Sequence, residues 1–150
     1  MHIDDLDEIP QTAVKFINDD HAEEVRLLRA LVDALRSGAA ETVTTAAWSA
    51  LLDHTRYHFT REEAAMREVG FPPYAVHKAE HERVLIEMSA RFALYLSSGE
   101  TTALLEYAAR EVPDWFERHL LSMDRVTAQY IADRTRDPSG APASCATRSP

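Results

Sequence analysis

The chain has 150 residues, enough for one domain with a proper core, and 45% of them are apolar. A formal net charge of −9, from 25 acidic against 16 basic residues, speaks against nucleic acid or an anionic membrane as partner. A single cysteine, Cys145, rules out a disulfide framework within the chain.

The apolar stretches are far too short to span a bilayer, and the acidic start Met1-His2-Ile3-Asp4-Asp5 does not read as a signal peptide. The cytoplasm is the expected compartment. Residues 1–11 read as an N-terminal arm, loose for its first ten residues. The first helix is predicted over about Thr12 to Arg36, where Val14, Ile17, Val25, Leu28, Val32 and Leu35 recur at helical spacing. Ser37-Gly38 ends it. The second runs from about Glu41 to Val69 and is stopped by Gly70-Phe71-Pro72-Pro73. The third covers about Tyr74 to Leu96 and ends at Ser97-Ser98-Gly99. The fourth covers about Thr101 to Asp133, with Pro113 inside it expected to kink it or cost it a hydrogen bond. Short connections between long helices make neighbours antiparallel. The expected fold is therefore all-α, an up-down-up-down four-helix bundle over residues 12–134. Residues 135–150, polar and repeatedly broken by Pro, read as a disordered tail.

Seven histidines is a high count for this length, and six lie inside predicted helices. His58 and Glu62 are four apart, as are His77 and His81, so each pair shares a helix face. His119 and Asp124 are five apart, about 140° around an ideal helix, which is a looser match. His21 lies on the first helix. At about 1.5 Å per residue, His21, Glu62, His81 and Asp124 each lie roughly 12–14 Å from a helix end, with His119 roughly 20 Å down. In an up-down-up-down bundle those four ends are the same end, so these residues share one layer. A lone core histidine is usually satisfied by a hydrogen bond, and one H-x-x-x-H pair is common in helical proteins. The joint pattern on four helices points to metal. Five imidazoles and two carboxylates are too many for one ion. Two ions bridged by Glu62 and Asp124 would use them all, and imidazole with carboxylate suits iron, manganese or zinc.

Four segments carry a family resemblance: N-D-D-H ending at His21, H-F-T-R-E-E-A-A-M from His58, H-K-A-E-H from His77 and W-F-E-R-H-L-L-S-M-D from Trp115 to Asp124. In this order they resemble the bacterial hemerythrins and hemerythrin-like proteins. The resemblance implies two iron ions (Fe2+/Fe3+) with a bridging oxo or hydroxo group. It places His77, His81 and His119 on one iron, His21 and His58 on the other, and Glu62 and Asp124 between them. It implies dioxygen or a similar small diatomic ligand at the iron with two histidines, for storage, delivery or sensing. The other expectation is a redox enzyme acting on peroxide, dioxygen or nitric oxide, served by a redox partner. Phe59, Trp115, Phe116 and Leu120 are the expected walls of a dry ligand pocket. Two residues depart from the family pattern. His54 stands one turn before His58 with no role in the seven-residue set. Glu24 falls where an apolar pocket residue is common. Glu23 and Glu24 point about 100° apart, so at least one of them faces solvent; if Glu24 reaches the open metal site, its carboxylate would hydrogen-bond the ligand, supply a proton or occupy the vacant metal position.

Overall fold

The computed structural model describes residues 2–6 and 8–136. Three helices run over α1 (Lys15–Arg36), α2 (Glu41–Glu68) and α3 (Tyr74–Ser98). A fourth rod, α4, runs without a break through five segments: Thr101–Glu106, Tyr107–Glu111, Val112–His119, Leu120–Asp124 and Arg125–Thr135. Among the described residues there is no strand, and no helix is long and apolar enough to cross a membrane. The architecture is the expected four-helix bundle. Four of the eight helix boundaries coincide with the sequence expectation, and the others differ by one to three residues. The largest difference is at the start of α1, where Thr12 stays outside the helix. Its N–H and hydroxyl both donate to Asn18 Oδ1 (2.7 and 2.9 Å), tying the entering chain to the first turn. The expected tail falls almost wholly on residues 137–150, including Cys145, outside the described residues; Thr135 closes the last helix.

The turns follow from backbone chemistry. Gly38 and Gly70 both adopt a left-handed φ of 65°. The residue after each glycine then reaches back towards the helix: Ala39 N–H bonds Ala34 O, and Phe71 N–H bonds Met66 O, both at 2.9 Å. A side chain at either glycine would strain that reversal.

α4 departs from a regular helix twice. Val112 N–H bonds Tyr107 O and Arg125 N–H bonds Leu120 O, each five residues back, so both segments are π-turns. Pro113 has no N–H to give, and the helix widens by one residue just before it. The cost expected at Pro113 is absorbed there.

The arm before α1 is not loose. Ile3–Asp5 forms one 3-10 turn, and Ile3 and Leu6 are 1% and 5% exposed within the hydrophobic core. Arg29 donates to the Leu6 carbonyl (3.0 Å), and Arg36 pairs with Asp4 (2.9 Å). The expectation of a loose arm fails at Ile3 and Leu6, two apolar residues among acids that pack against α1 and the Tyr107–Glu111 segment of α4. Deleting residues 1–8 is expected to cost about 3–5 kcal/mol, the worth of burying two large aliphatic side chains. Urea denaturation of the truncated protein checks it; an unchanged midpoint would show that the arm adds nothing.

Candidate metal centre

All four helices send polar side chains into one buried layer. His21 comes from α1, His58 and Glu62 from α2, His77 and His81 from α3, and His119 and Asp124 from α4. None is more than 5% exposed. The second π-turn makes the α4 pair possible. Residues five apart diverge on a regular helix, but a turn closed five residues back brings them to nearly one face. His119 Nε2 then stands 3.0 Å from Asp124 Oδ1.

Asp124 faces two histidine sets at once. Its Oδ1 lies 3.0 Å from His119 Nε2 and 3.2 Å from His77 Nε2, while its Oδ2 lies 3.1 Å from His21 Nε2. Glu62 Oε2 is also shared, at 3.5 Å from His81, 3.7 Å from His77 and 3.8 Å from His58. Two groups therefore have donor atoms within 4.8 Å of one another: His77, His81, His119 and Asp124, and His21, His58 and Asp124.

The far sides of three imidazoles are held. His58 Nδ1–H donates to Asp20 Oδ2 (3.3 Å) and His81 Nδ1–H to Glu63 Oε1 (3.2 Å), while His77 Nδ1 shares a hydrogen bond with the Thr127 hydroxyl (2.9 Å). Asp20 is anchored in turn by Arg61 (2.8 Å). Fixing the proton on Nδ1 turns the Nε2 lone pair towards the layer, as metal-binding histidines need. Asp20, Glu63 and Thr127 had no role in the sequence reading. The available signal was adjacency: Asp20 precedes His21, Glu63 follows Glu62, and Thr127 lies one turn beyond Asp124.

The donors fit a pair of cations. Glu62 Oε1 and Oε2, His81 Nε2 and Asp124 Oδ1 are buried without a hydrogen-bond partner. Lone pairs face lone pairs, an arrangement that is costly unless positive charge lies between them. Burial, reinforced by the Asp124 charge, pushes the Glu62 carboxyl well above its ordinary range. Burial also drives the His81 imidazole down to about 2, with His77 and His119 adding to the effect. Asp124 goes the other way: burial would raise its carboxyl, but His119, His21 and His77 hold it well below the ordinary range. A buried carboxylate beside imidazoles that resist protonation suits cations as the neutralising charge.

A cavity of about 10 Å³, the room of one water-sized molecule, adjoins the His21–His58 side. Phe59, Trp115, Phe116 and Glu24 line it with His21, His58, His119 and Asp124. Phe59 stacks on His81 (centroids 3.8 Å, planes 4° apart), and Trp115 stacks on His119 (4.7 Å, 26°). Trp115 Nε1–H donates to Glu80 Oε1 (2.8 Å), which fixes the indole. Leu120 is not on this lining; it is fully buried in the hydrophobic core.

The two departures from the family pattern meet. His54 Nε2–H donates to the Asp20 carbonyl (2.9 Å) and lies 3.6 Å from Glu24 Oε2. Glu24 is 9% exposed, and its Oε1 is 2.5 Å from Thr55 Oγ1. Glu23, by contrast, is ion-paired to Arg26 at the surface. Burial pushes the Glu24 carboxyl up from its ordinary 4.5 to about 8 against the Thr55 hydrogen bond, with the Asp20 and Glu23 charges pushing the same way. Between those two values the folded chain keeps a proton that the unfolded chain has lost. This contribution to stability therefore fades as pH rises from 4.5 to 8. Glu24→Gln is expected to flatten the decline and to be the more stable protein at pH 9. Urea titrations from pH 5 to 9 test this, and parallel curves for the two proteins would refute it.

The Hemerythrin HHE cation binding domain is the family model that matches, over residues 12–131. The bacteriohemerythrin of Ralstonia nicotianae is 33% identical over 118 residues, spanning 79% of this chain and 81% of the relative. The bacteriohemerythrin of Aquifex aeolicus is 30% identical over 118 residues, spanning 79% and 89%. A solved wild-type hemerythrin superposes with a TM-score of 0.71 at 24% identity, covering 81% of this chain and 91% of that one.

Proposed function

The chain belongs to the hemerythrin HHE cation-binding family, and on that premise we propose that it holds two iron ions and binds dioxygen at them. His77, His81 and His119 would hold one ion, and His21 and His58 the other. Glu62 and Asp124 would bridge them beside an oxo or hydroxo group. The observation that carries this reading is Asp124, whose two oxygens face different histidine sets at 3.0–3.2 Å.

When bound, the ion pair supplies two electrons to a ligand at the less crowded ion. The protein's own contribution is positioning and dryness. Asp20 and Glu63 hold two imidazoles in the tautomer that presents Nε2, and Thr127 anchors the ring of His77. Phe59, Phe116 and Trp115 keep bulk water from the cavity between them. A site with room for one small molecule suits a diatomic ligand.

The test is the metal content and optical spectrum of purified protein, reduced without air and then exposed to it. Two irons per chain and a visible band that appears with dioxygen and bleaches on its removal would support an oxygen-binding protein. Manganese or zinc in place of iron, or no metal, would refute it.

One observation favours a second reading, a di-iron redox enzyme for peroxide, dioxygen or nitric oxide served by an electron-donating partner. Glu24 brings a buried carboxyl to the pocket wall, where it can give a proton to a departing ligand. Under that reading the oxygen adduct decays within seconds and the iron cycles with an added reductant.

A further inference from the structure

Glu24 stands in a wall between two cavities. On its inner side is the pocket with His21, His58, His119 and Asp124. On its outer side lies a second cavity of about 30 Å³, bounded by Thr55, Val84, Met88, Tyr107 and Val112. Glu24 and Trp115 are common to both linings. Glu87 and Glu111, with side chains 35% and 45% exposed, stand at the rim, joined by Arg91 at 3.9 and 2.9 Å. A third cavity of about 200 Å³ approaches the layer from another direction, among Val76, Met123, Val126 and Thr127. It ends on the back of His77, whose Nδ1 is tied to Thr127, and it shares no lining residue with the pocket.

The joint between the first two cavities is polar where much of its surroundings is apolar. Thr55 has one hydroxyl proton, and two acceptors compete for it: Leu51 O at 2.9 Å and Glu24 Oε1 at 2.5 Å. Both contacts become hydrogen bonds when the Glu24 carboxyl brings a proton of its own. Glu24 Oε2 is buried with no hydrogen-bond partner, because His54 Nε2–H, the nearest donor, is committed to Asp20. A molecule passing Glu24 thus meets a free acceptor. An apolar diatomic gains nothing from it, while a molecule bearing O–H does. Glu87 and Glu111 are themselves paired with Arg91, and Glu87 also with Arg83, but the cavity lining holds no cation to compensate a desolvated anion.

We propose that the second cavity is the route into the metal pocket, and that Glu24 makes it selective for small neutral molecules that hydrogen-bond, hydrogen peroxide in particular, over dioxygen. This rests on the reading of the layer as a di-iron centre. Hydrogen peroxide takes one electron from each ferrous ion and two protons from solvent, leaving as two waters, so its arrival is read as oxidation of the reduced protein.

The experiment is stopped-flow oxidation of the reduced, iron-loaded protein by hydrogen peroxide and by dioxygen, with iron counted beforehand. Val112→Phe fills the outer cavity and is expected to slow both oxidants about tenfold; Val84→Phe, filling it from α3, repeats the test if the first variant misfolds. Glu24→Leu is expected to slow peroxide about tenfold, the worth of one hydrogen bond, without slowing dioxygen. Val126→Phe, in the third cavity, is expected to leave both rates alone. Xenon-pressurised crystals of the loaded protein should hold xenon in the second cavity and lose it in Val112→Phe. Unchanged rates in both filled variants, slowing by Val126→Phe alone, or equal slowing of both oxidants by Glu24→Leu would overturn the proposal. A folded chain that takes up no iron would instead overturn the metal reading beneath it.

Discussion

Glu62→Leu is expected to lose both metal ions and yet to unfold at higher urea than the metal-free parent. The two halves of this result come from one fact. Glu62 is fully buried, and neither carboxyl oxygen has a hydrogen-bond partner. In the absence of cations that is a cost the fold carries. Burying an unpaired carboxyl, even a neutral one, is unfavourable by about 1–3 kcal/mol, and an ionised one by more. Leucine has a similar volume and no polar atom. Replacing a buried ion pair by apolar residues of like volume is often neutral or stabilising by about 1–4 kcal/mol, and removing this unpaired carboxyl should move the metal-free variant in the same direction. The same oxygen sits 3.5–3.8 Å from His58, His77 and His81, between the two histidine sets. Removing it should drop bound iron from two per chain to less than one. Metal analysis and urea denaturation after chelation read the two effects separately. A variant that keeps two irons would show that Glu62 is not a bridge. One less stable than the metal-free parent would show that Glu62 already has a compensating partner.

Much of this site was legible in the sequence because helices have a fixed rise and period. The i, i+4 pairs His58–Glu62 and His77–His81 and the matching depths of His21 and Asp124 are enough to place one layer. The loose pair His119–Asp124 is where period alone fell short. A π-turn is set by the helix as packed, here Leu120–Asp124, and leaves no composition signal of its own. Ile3 and Leu6 were hidden for a related reason. Two apolar residues among acids look like an exposed arm until the surface of α1 and α4 that they pack against is known. His54 and Glu24 stood out as departures, but only tertiary structure brings their side chains to 3.6 Å across two helices. Sequence separation fixes neighbours within a helix; the rotation of one helix against another decides the rest.

Phe59→Ala is expected to weaken the fold and the centre together, because this ring serves both. Phe59 is 4% exposed in the hydrophobic core and lies flat on the His81 imidazole, with Trp115 at its edge (6.3 Å, 71°). Truncating a buried phenylalanine costs about 3–5 kcal/mol, a large share of what holds a domain of this size. The cavity left behind opens beside the pocket that Phe59 lines. Water should then reach the ligand, and the oxygen adduct should decay to oxidised iron faster than in the parent. Phe59→Leu separates the two roles. It restores most of the buried volume and should therefore recover most of the stability that the alanine variant loses, since the cost follows the size of the cavity left. It cannot restore the flat face against His81. If dryness depends on filling the space, the leucine variant should recover the lifetime of the adduct along with stability. If it depends on the stacked ring holding His81 in line, the lifetime should stay short in a stable protein. Parent-like stability in the alanine variant would mean that Phe59 is not part of the core at all.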